Sequence, residues 1–177
     1  MTKKSMLPPT KYDALVFDAA ISAPELEMAF RTARAEQAHI EDILTSDYKV
    51  RLAQIGAALA AYFGVPYEPF RPGRLKPVLL LKNLRAQYIE ENQWLPLDED
   101  KNGLLVLAID PERILGSRIV NQVFPKSRVA YCVTTRVEFK LTMDQYFGTS
   151  ARSDGSSLRE LLSGMAEEDQ DEGPAVV

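Results

Sequence analysis

Few residues in this chain could do chemistry. His39 is its only histidine and Cys132 its only cysteine. A lone histidine would need partners for a triad or a metal site, and none is recognisable around it. It reads as a polar residue near the start of a short helix. Cys132 lies between Tyr131 and Val133 in an apolar run, where a thiol is buried and inert. Asp98, Glu99 and Asp100 form an acidic cluster without the Asp-x-Asp-x-Asp-Gly spacing of a calcium loop, so a solvated turn is the expectation. There is no Gly-Lys pair and hence no phosphate loop, and no Gly-x-Gly-x-x-Gly. No catalytic residue, bound cofactor or metal is expected.

One charge pattern suggests binding. Arg71, Arg74, Lys76, Lys82 and Arg85 follow one another with no acidic residue between them. Such a patch suits an acidic partner, a phosphate or anionic headgroups, although it also describes an ordinary solvated face. Aromatic residues interleaved for stacking on single-stranded nucleic acid are missing from it. The 177 residues carry a net charge of −4, yet Glu167, Glu168, Asp169, Asp171 and Glu172 lie together near the end. The rest has 21 basic against 20 acidic residues, with no broad positive field, and nucleic acid is not an expected partner. Apolar residues make up 46%, enough for a core without disulfides. No run approaches the ~20 apolar residues of a membrane span, and no signal peptide is seen, so a cytosolic setting is the default.

The elements that must position these residues follow from periodicity. Ser22 and Glu25 have capping-box spacing, and Leu26, Ala29, Phe30 and Ala33 recur helically after them. A short helix is predicted around Ile40–Leu44 and a longer one from Arg51 to Phe63, with Gly64 as its left-handed cap. Val65–Phe70, with two prolines, is extended. Pro77 to Glu91 is predicted helical, with Leu80, Leu81, Leu84 and Tyr88 inward. Trp94–Leu97 and Leu104–Ile109 are predicted strands joined by an Asn102-Gly103 hairpin turn. A helix from Asp110-Pro111 to Phe124, a strand at Arg128–Val133 and a helix opened by a Thr135/Glu138 capping box and ended at Gly148 complete the series.

The expected fold class is therefore α+β: a helical lobe of two hairpin-like repeats (12–64), then a lobe (65–148) with a mixed sheet of three or four strands and helices on one face. Residues 1–11 read as a flexible lead-in. Residues 149–177 read as an acidic, mostly disordered linker with one helical turn around Leu158–Leu162. The repeat is explicit: Leu15, Val16, Ile21, Leu26 and Phe30 correspond at 29-residue spacing to Leu44, Thr45, Val50, Ile55 and Leu59, apolar on apolar in four of five pairs.

Ile55-Gly-Ala-Ala-Leu-Ala-Ala-Tyr-Phe-Gly-Val-Pro-Tyr67, Asn92-Gln-Trp-Leu-Pro-Leu97, Leu107-Ala-Ile-Asp-Pro111 and Asp144-Gln-Tyr-Phe-Gly148 occur in an order that resembles the N-terminal domain of the secretion ATPase family, the type II secretion and type IV pilus assembly motors of bacteria. The resemblance spans about residues 12–148. It implies a non-catalytic domain that docks the motor to the cytoplasmic part of an inner-membrane platform protein, peripheral to that membrane through its partner. It also implies that the acidic linker leads to an ATPase core beyond Val177, where ATP and magnesium would belong. Some members bind cyclic di-GMP through tandem motifs resembling Arg-Leu-Gly-x-x-Leu-Val-x-x-Gly-x-Ile. Here the Arg, Leu and Gly positions hold Thr10, Lys11 and Tyr12 in the first copy and His39, Ile40 and Glu41 in the second, and the later Gly is Ala19 or Tyr48. The apolar scaffold is kept and the phosphate-facing Arg and ligand-approaching Gly residues are lost, so cyclic di-GMP binding is not the expected role.

Overall fold

The computed structural model describes residues 9–148. Most of the predicted lead-in and the whole predicted linker, 149–177, lie outside the described residues. Among those described, eight helices and one three-stranded mixed sheet make an α+β fold.

The 29-residue repeat appears as two copies of a short helix, a turn and a longer helix: α1 (Ala14–Phe17) with α2 (Ala23–Glu36), then α3 (Ile40–Ser46) with α4 (Leu52–Phe63). The paired anchors Leu15/Leu44, Ile21/Val50 and Leu26/Ile55 are all buried in one cluster. Each turn closes through a left-handed residue, Ala19 (φ 58°) in the first copy and Lys49 (φ 57°) in the second. Ser22 and Glu25 make the predicted capping box at α2. Gly64 ends α4 at φ 67°, as its type requires.

Val65–Phe70 is extended and joins the sheet edge: Val133 donates to the Pro66 carbonyl and Glu68 to the Val133 carbonyl, each at 2.9 Å. Gly56 on α4 lies under Tyr67 of this segment, so close that a Cβ would overlap the ring.

The predicted helix from Pro77 to Glu91 is not continuous. Residues 78–83 form turns, and α5 covers only Ala86–Asn92. The core takes Leu81, Leu84 and Ile89. On one unbroken helix Leu84 and Ile89 would point about 140° apart, so the chain breaks at Arg85 to bring both inward. Strand β1 (Trp94–Asp100) is longer than predicted and pairs antiparallel with β2 (Gly103–Ala108). Pro96 is tolerated because β1 is an edge strand, beside a register shift between Pro96 and Asp98. The Asn102-Gly103 turn forms as predicted. Gly103 (φ 134°) passes so near the Arg128 carbonyl that only a residue without Cβ closes it. β2 pairs parallel with β3 (Val129–Val133).

The predicted helix 111–124 also breaks, into α6 (Pro111–Ser117) and α7 (Ile119–Val123), with Arg118 left-handed between them. The Ser117 hydroxyl donates to the Ile114 carbonyl and accepts from the Ile119 N–H, which offers the backbone a local alternative to the helix ladder. Between them Ile114 and Val120 are both buried. α8 (Arg136–Phe147) closes the fold. Trp94 sits at the centre of this lobe, edge-on to Tyr88 and Phe124. The two cores meet at β3: Cys132 belongs to the sheet cluster and its neighbour Val133 to the helical one.

Gly56→Ala forces α4 and Tyr67 apart and is expected to cost about 2 kcal/mol by overpacking. Gly116→Ala, with open space around it, is expected to stabilise by about 0.5 kcal/mol through helix propensity. Urea titrations with unchanged m-values check both.

Candidate functional site

The motif positions of the two repeats are occupied by side chains that bond to one another. The Tyr12 hydroxyl donates to Glu41 Oε2 at 2.7 Å, across the repeat distance of 29 residues. Glu41 Oε1 accepts the backbone N–H of Arg136 at 2.9 Å, the first residue of α8. Glu41 is only 2% exposed. Burial first, then the adjacent Glu41 charge, pushes the Tyr12 hydroxyl well above its ordinary range, so it stays a donor. Asp42 adds an ion pair with Arg136 at 3.0 Å. A carboxylate of the helical lobe thus caps the first helical N–H of the other lobe's last helix, the end where negative charge is favoured.

His39 caps α3, its Nδ1 accepting the Glu41 N–H at 3.1 Å. The imidazole is therefore neutral, with its proton on Nε2. Burial lowers its pKa; Arg136 and Lys11 act in the same direction, and Glu41 and Asp42 act against them.

Glu138 makes a matching junction. Thr135 caps α8 as predicted, accepting from the Glu138 N–H. The Glu138 carboxylate does not complete a capping box. It accepts the Tyr67 hydroxyl (2.5 Å), the Phe70 N–H (2.7 Å) and the Thr135 hydroxyl (2.9 Å). The strand leaving the helical lobe supplies two of these donors, and the N-cap contributes its hydroxyl instead of its backbone N–H.

These bonds set the start of the basic segment. Gln145 Nε2 donates to the carbonyls of Arg71 (2.9 Å) and Pro72 (2.7 Å), fixing the next two residues to α8. Arg71 and Arg74 both bind Glu68 Oε1, at 2.9 and 2.7 Å. Arg74 also reaches the Pro69 carbonyl, and its side chain is 15% exposed. Burial would raise the Glu68 carboxyl, but the hydrogen bonds from Arg74 and Arg71 outweigh it and hold it below its usual range. Two of the five predicted docking cations are therefore spent on an internal clamp. Lys76 stands 5.4 Å from the Phe147 ring centre, and Lys82 and Arg85 face solvent.

The sequence reading missed what lies between these cations. Leu75 and Leu79 are each 87% exposed and Val78 65%. The signal was partial: Val78 and Leu79 fall outside the predicted inward stripe, but so does the buried Ile89, and Leu75 precedes the predicted helix. Leu81 and Leu84 anchor the far end of the loop in the core.

Other candidates fall away. Cys132 is buried with its thiol against the Val106 carbonyl, and burial pushes its pKa up to about 12. Asp98, Glu99 and Asp100 lie at the exposed end of the hairpin. Among the described residues no three His, Cys, Asp or Glu side chains gather to hold a metal, and no helix is long and apolar enough to cross a membrane. An open cleft of about 420 Å³ between α4 and α6 is lined by Lys11, Asp110, Glu112 and Arg113 with both charge signs. Its Asp110 and Arg113 are engaged in capping α6 and in binding the Asn92 carbonyl.

Glu41→Ala leaves the Tyr12 hydroxyl and the Arg136 N–H unpaired and is expected to cost about 3 kcal/mol, read by urea titration. His39 has a native pKa below its unfolded value, so its contribution is complete above the ordinary imidazole value near ~6.5 and is lost as pH falls through that value toward the native one. His39→Asn, a cap that does not titrate, should flatten the decline of Tm between about pH 7 and 5.

The MshEN domain family matches residues 63–153. Two solved structures share the fold over their full lengths. One is described as MshE with cdg: 16% identity, TM-score 0.60, 79% of this chain and 100% of that one. The other is the N-terminal domain of XpsE: 16% identity, TM-score 0.56, 81% of this chain and 100% of that one. No match is found among curated protein sequences. Over half of the chain lies within the family match, so the chain belongs to the MshEN domain family, the N-terminal domain of the type II secretion and type IV pilus ATPases.

Proposed function

We propose that this chain is a docking module without catalytic activity, which holds a secretion or pilus-assembly motor to the cytoplasmic part of an inner-membrane platform protein. ATP hydrolysis is assigned to a core outside this sequence. One observation carries the reading: Leu75, Val78 and Leu79 stand in solvent, flanked by Lys76, Lys82 and Arg85, on a loop tied down at both ends. Exposed aliphatic residues grouped this way are characteristic of interaction surfaces, and cations around them favour an acidic partner. The tethers matter because a loop already held in place loses less entropy on binding.

A second reading, a cyclic di-GMP sensor, draws support from the MshE structure described with cdg. Against it stands the pairing of Tyr12 with Glu41, which fills the first Gly position of both motifs with bonded, buried side chains, while Thr10 and His39 stand at the Arg positions. Calorimetry separates the two: one-to-one heat with cyclic di-GMP supports the sensor, and its absence the docking module.

The docking reading expects Leu79→Glu combined with Lys82→Glu to weaken binding of the platform protein's cytoplasmic domain at least tenfold, about 1.4 kcal/mol, without loss of fold by circular dichroism. Equal affinity of variant and parent in a titration removes this surface from the reading.

A further inference from the structure

The docking loop exposes two kinds of side chain. Apart from Asn83, every exposed residue from 75 to 85 is either aliphatic (Leu75, Val78, Leu79) or cationic (Lys76, Lys82, Arg85). No Asp or Glu occurs between residues 71 and 85, and these three cations form no ion pair among the described residues. A stable protein interface draws on roughly 20–30 residues a side. Here the apolar part is three side chains on one turn segment, and they project from the surface: Leu75 and Leu79 are each 87% exposed. The backbone beneath them is already engaged. Pro77 has no N–H to satisfy, and its carbonyl accepts from Leu80 at 3.0 Å and from Leu81 at 3.1 Å, while the Val78 N–H donates to the Lys76 carbonyl at 2.9 Å. Peptide groups bonded within the chain cost less to bring against an apolar layer.

We propose that this loop rests directly on a bilayer that contains anionic lipid. Leu75, Val78 and Leu79 enter the boundary between headgroups and acyl chains, and Lys76, Lys82 and Arg85 face the lipid phosphates. Neither group suffices by itself. A few aliphatic side chains give marginal attachment, and cations without apolar contact are lost to salt; together they supply the two signals that surface attachment needs. A bilayer also accepts a protruding turn without a pocket shaped to receive it. The bonds that Glu138 and Gln145 make to Phe70, Arg71 and Pro72 hold the near end of the loop, and Leu81 and Leu84 hold the far end, so little freedom is left to lose on contact. The proposal rests on the docking reading, which brings the loop to the inner membrane. The lipid contact then adds a second attachment beside the platform protein and raises the local concentration of the chain at its partner.

The test floats the full 177-residue chain with vesicles and no partner. Vesicles of equal parts phosphatidylcholine and phosphatidylglycerol are expected to carry the chain upward, and vesicles of phosphatidylcholine alone to leave it behind. Leu75→Ser with Leu79→Ser, and separately Lys76→Gln with Lys82→Gln, should each weaken binding to the anionic vesicles at least tenfold. Their circular dichroism should stay that of the parent, because all four side chains are exposed. Binding should weaken similarly at 1 M salt, where the screening length falls to about 3 Å. Leu79→Trp reports depth: its emission should shift to the blue on binding and be quenched by brominated acyl chains, while Trp94, fully buried, leaves the parent unquenched. No flotation of the parent overturns the lipid contact, and equal flotation with neutral vesicles overturns its need for anionic headgroups. Flotation that both pairs of substitutions leave unchanged overturns this loop as the contact. Flotation without quenching in the Leu79→Trp variant overturns insertion. If the chain ignores vesicles while Leu79→Glu with Lys82→Glu weakens platform binding in lipid-free solution, the surface serves a protein alone and the lipid contact falls. Flotation together with an unaffected platform titration leaves the lipid contact standing and removes the surface from the docking reading.

Discussion

The amino end of α8 is held by two carboxylates, and most of the architecture depends on them. Glu41 comes from the helical lobe and Glu138 from α8 itself. Each accepts a tyrosine hydroxyl, from Tyr12 and from Tyr67, and each accepts a backbone N–H, of Arg136 and of Phe70. Burying a carboxylate is costly unless its lone pairs are filled. Filling them here requires donors from separate segments: the first repeat, α8 and the linking strand. Satisfying the two acids therefore fixes the angle between the lobes and the path of the chain that joins them.

The exposed loop inherits that geometry. It begins at Phe70, whose N–H Glu138 holds, continues through Arg71 and Pro72, whose carbonyls Gln145 holds, and ends where Leu81 and Leu84 enter the core. Glu68 gathers Arg71 and Arg74 beneath it. Only the stretch between these anchors is free to present Leu75, Val78 and Leu79. Unspecific apolar exposure would be an aggregation hazard; a short patch with cations on a tethered loop is limited in size and defined in shape.

The same buried acid, Glu41, joins the two copies of the repeat through Tyr12. The apolar anchors of both copies are kept because they form one core, in which Leu15 and Leu44 or Ile21 and Val50 are equivalent. The polar positions are under a different constraint. With Tyr12 and Glu41 bonded across the two copies, those positions now stabilise the lobe.

Periodicity by itself determined the fold class, the two repeats, the hairpin at Asn102-Gly103 and the caps at Ser22, Gly64, Asp110 and Thr135, because each depends on neighbours within four residues or on a fixed spacing. It determined the burial of Cys132 for the same reason: an apolar run buries its middle. The breaks at Arg85 and Arg118 were decided by tertiary structure. Local pattern allowed continuous helices there, and only the need to bring Leu84 with Ile89, and Ile114 with Val120, into one core divides them. Of the predicted docking residues, the sequence supplied the charges but not their employment. Arg71 and Arg74 count as free cations in a linear reading, and they cease to be so once Glu68 folds between them. The exposure of Leu75, Val78 and Leu79 is likewise a property of the assembled surface, since an apolar residue in a sequence does not state which side of the chain the core will occupy.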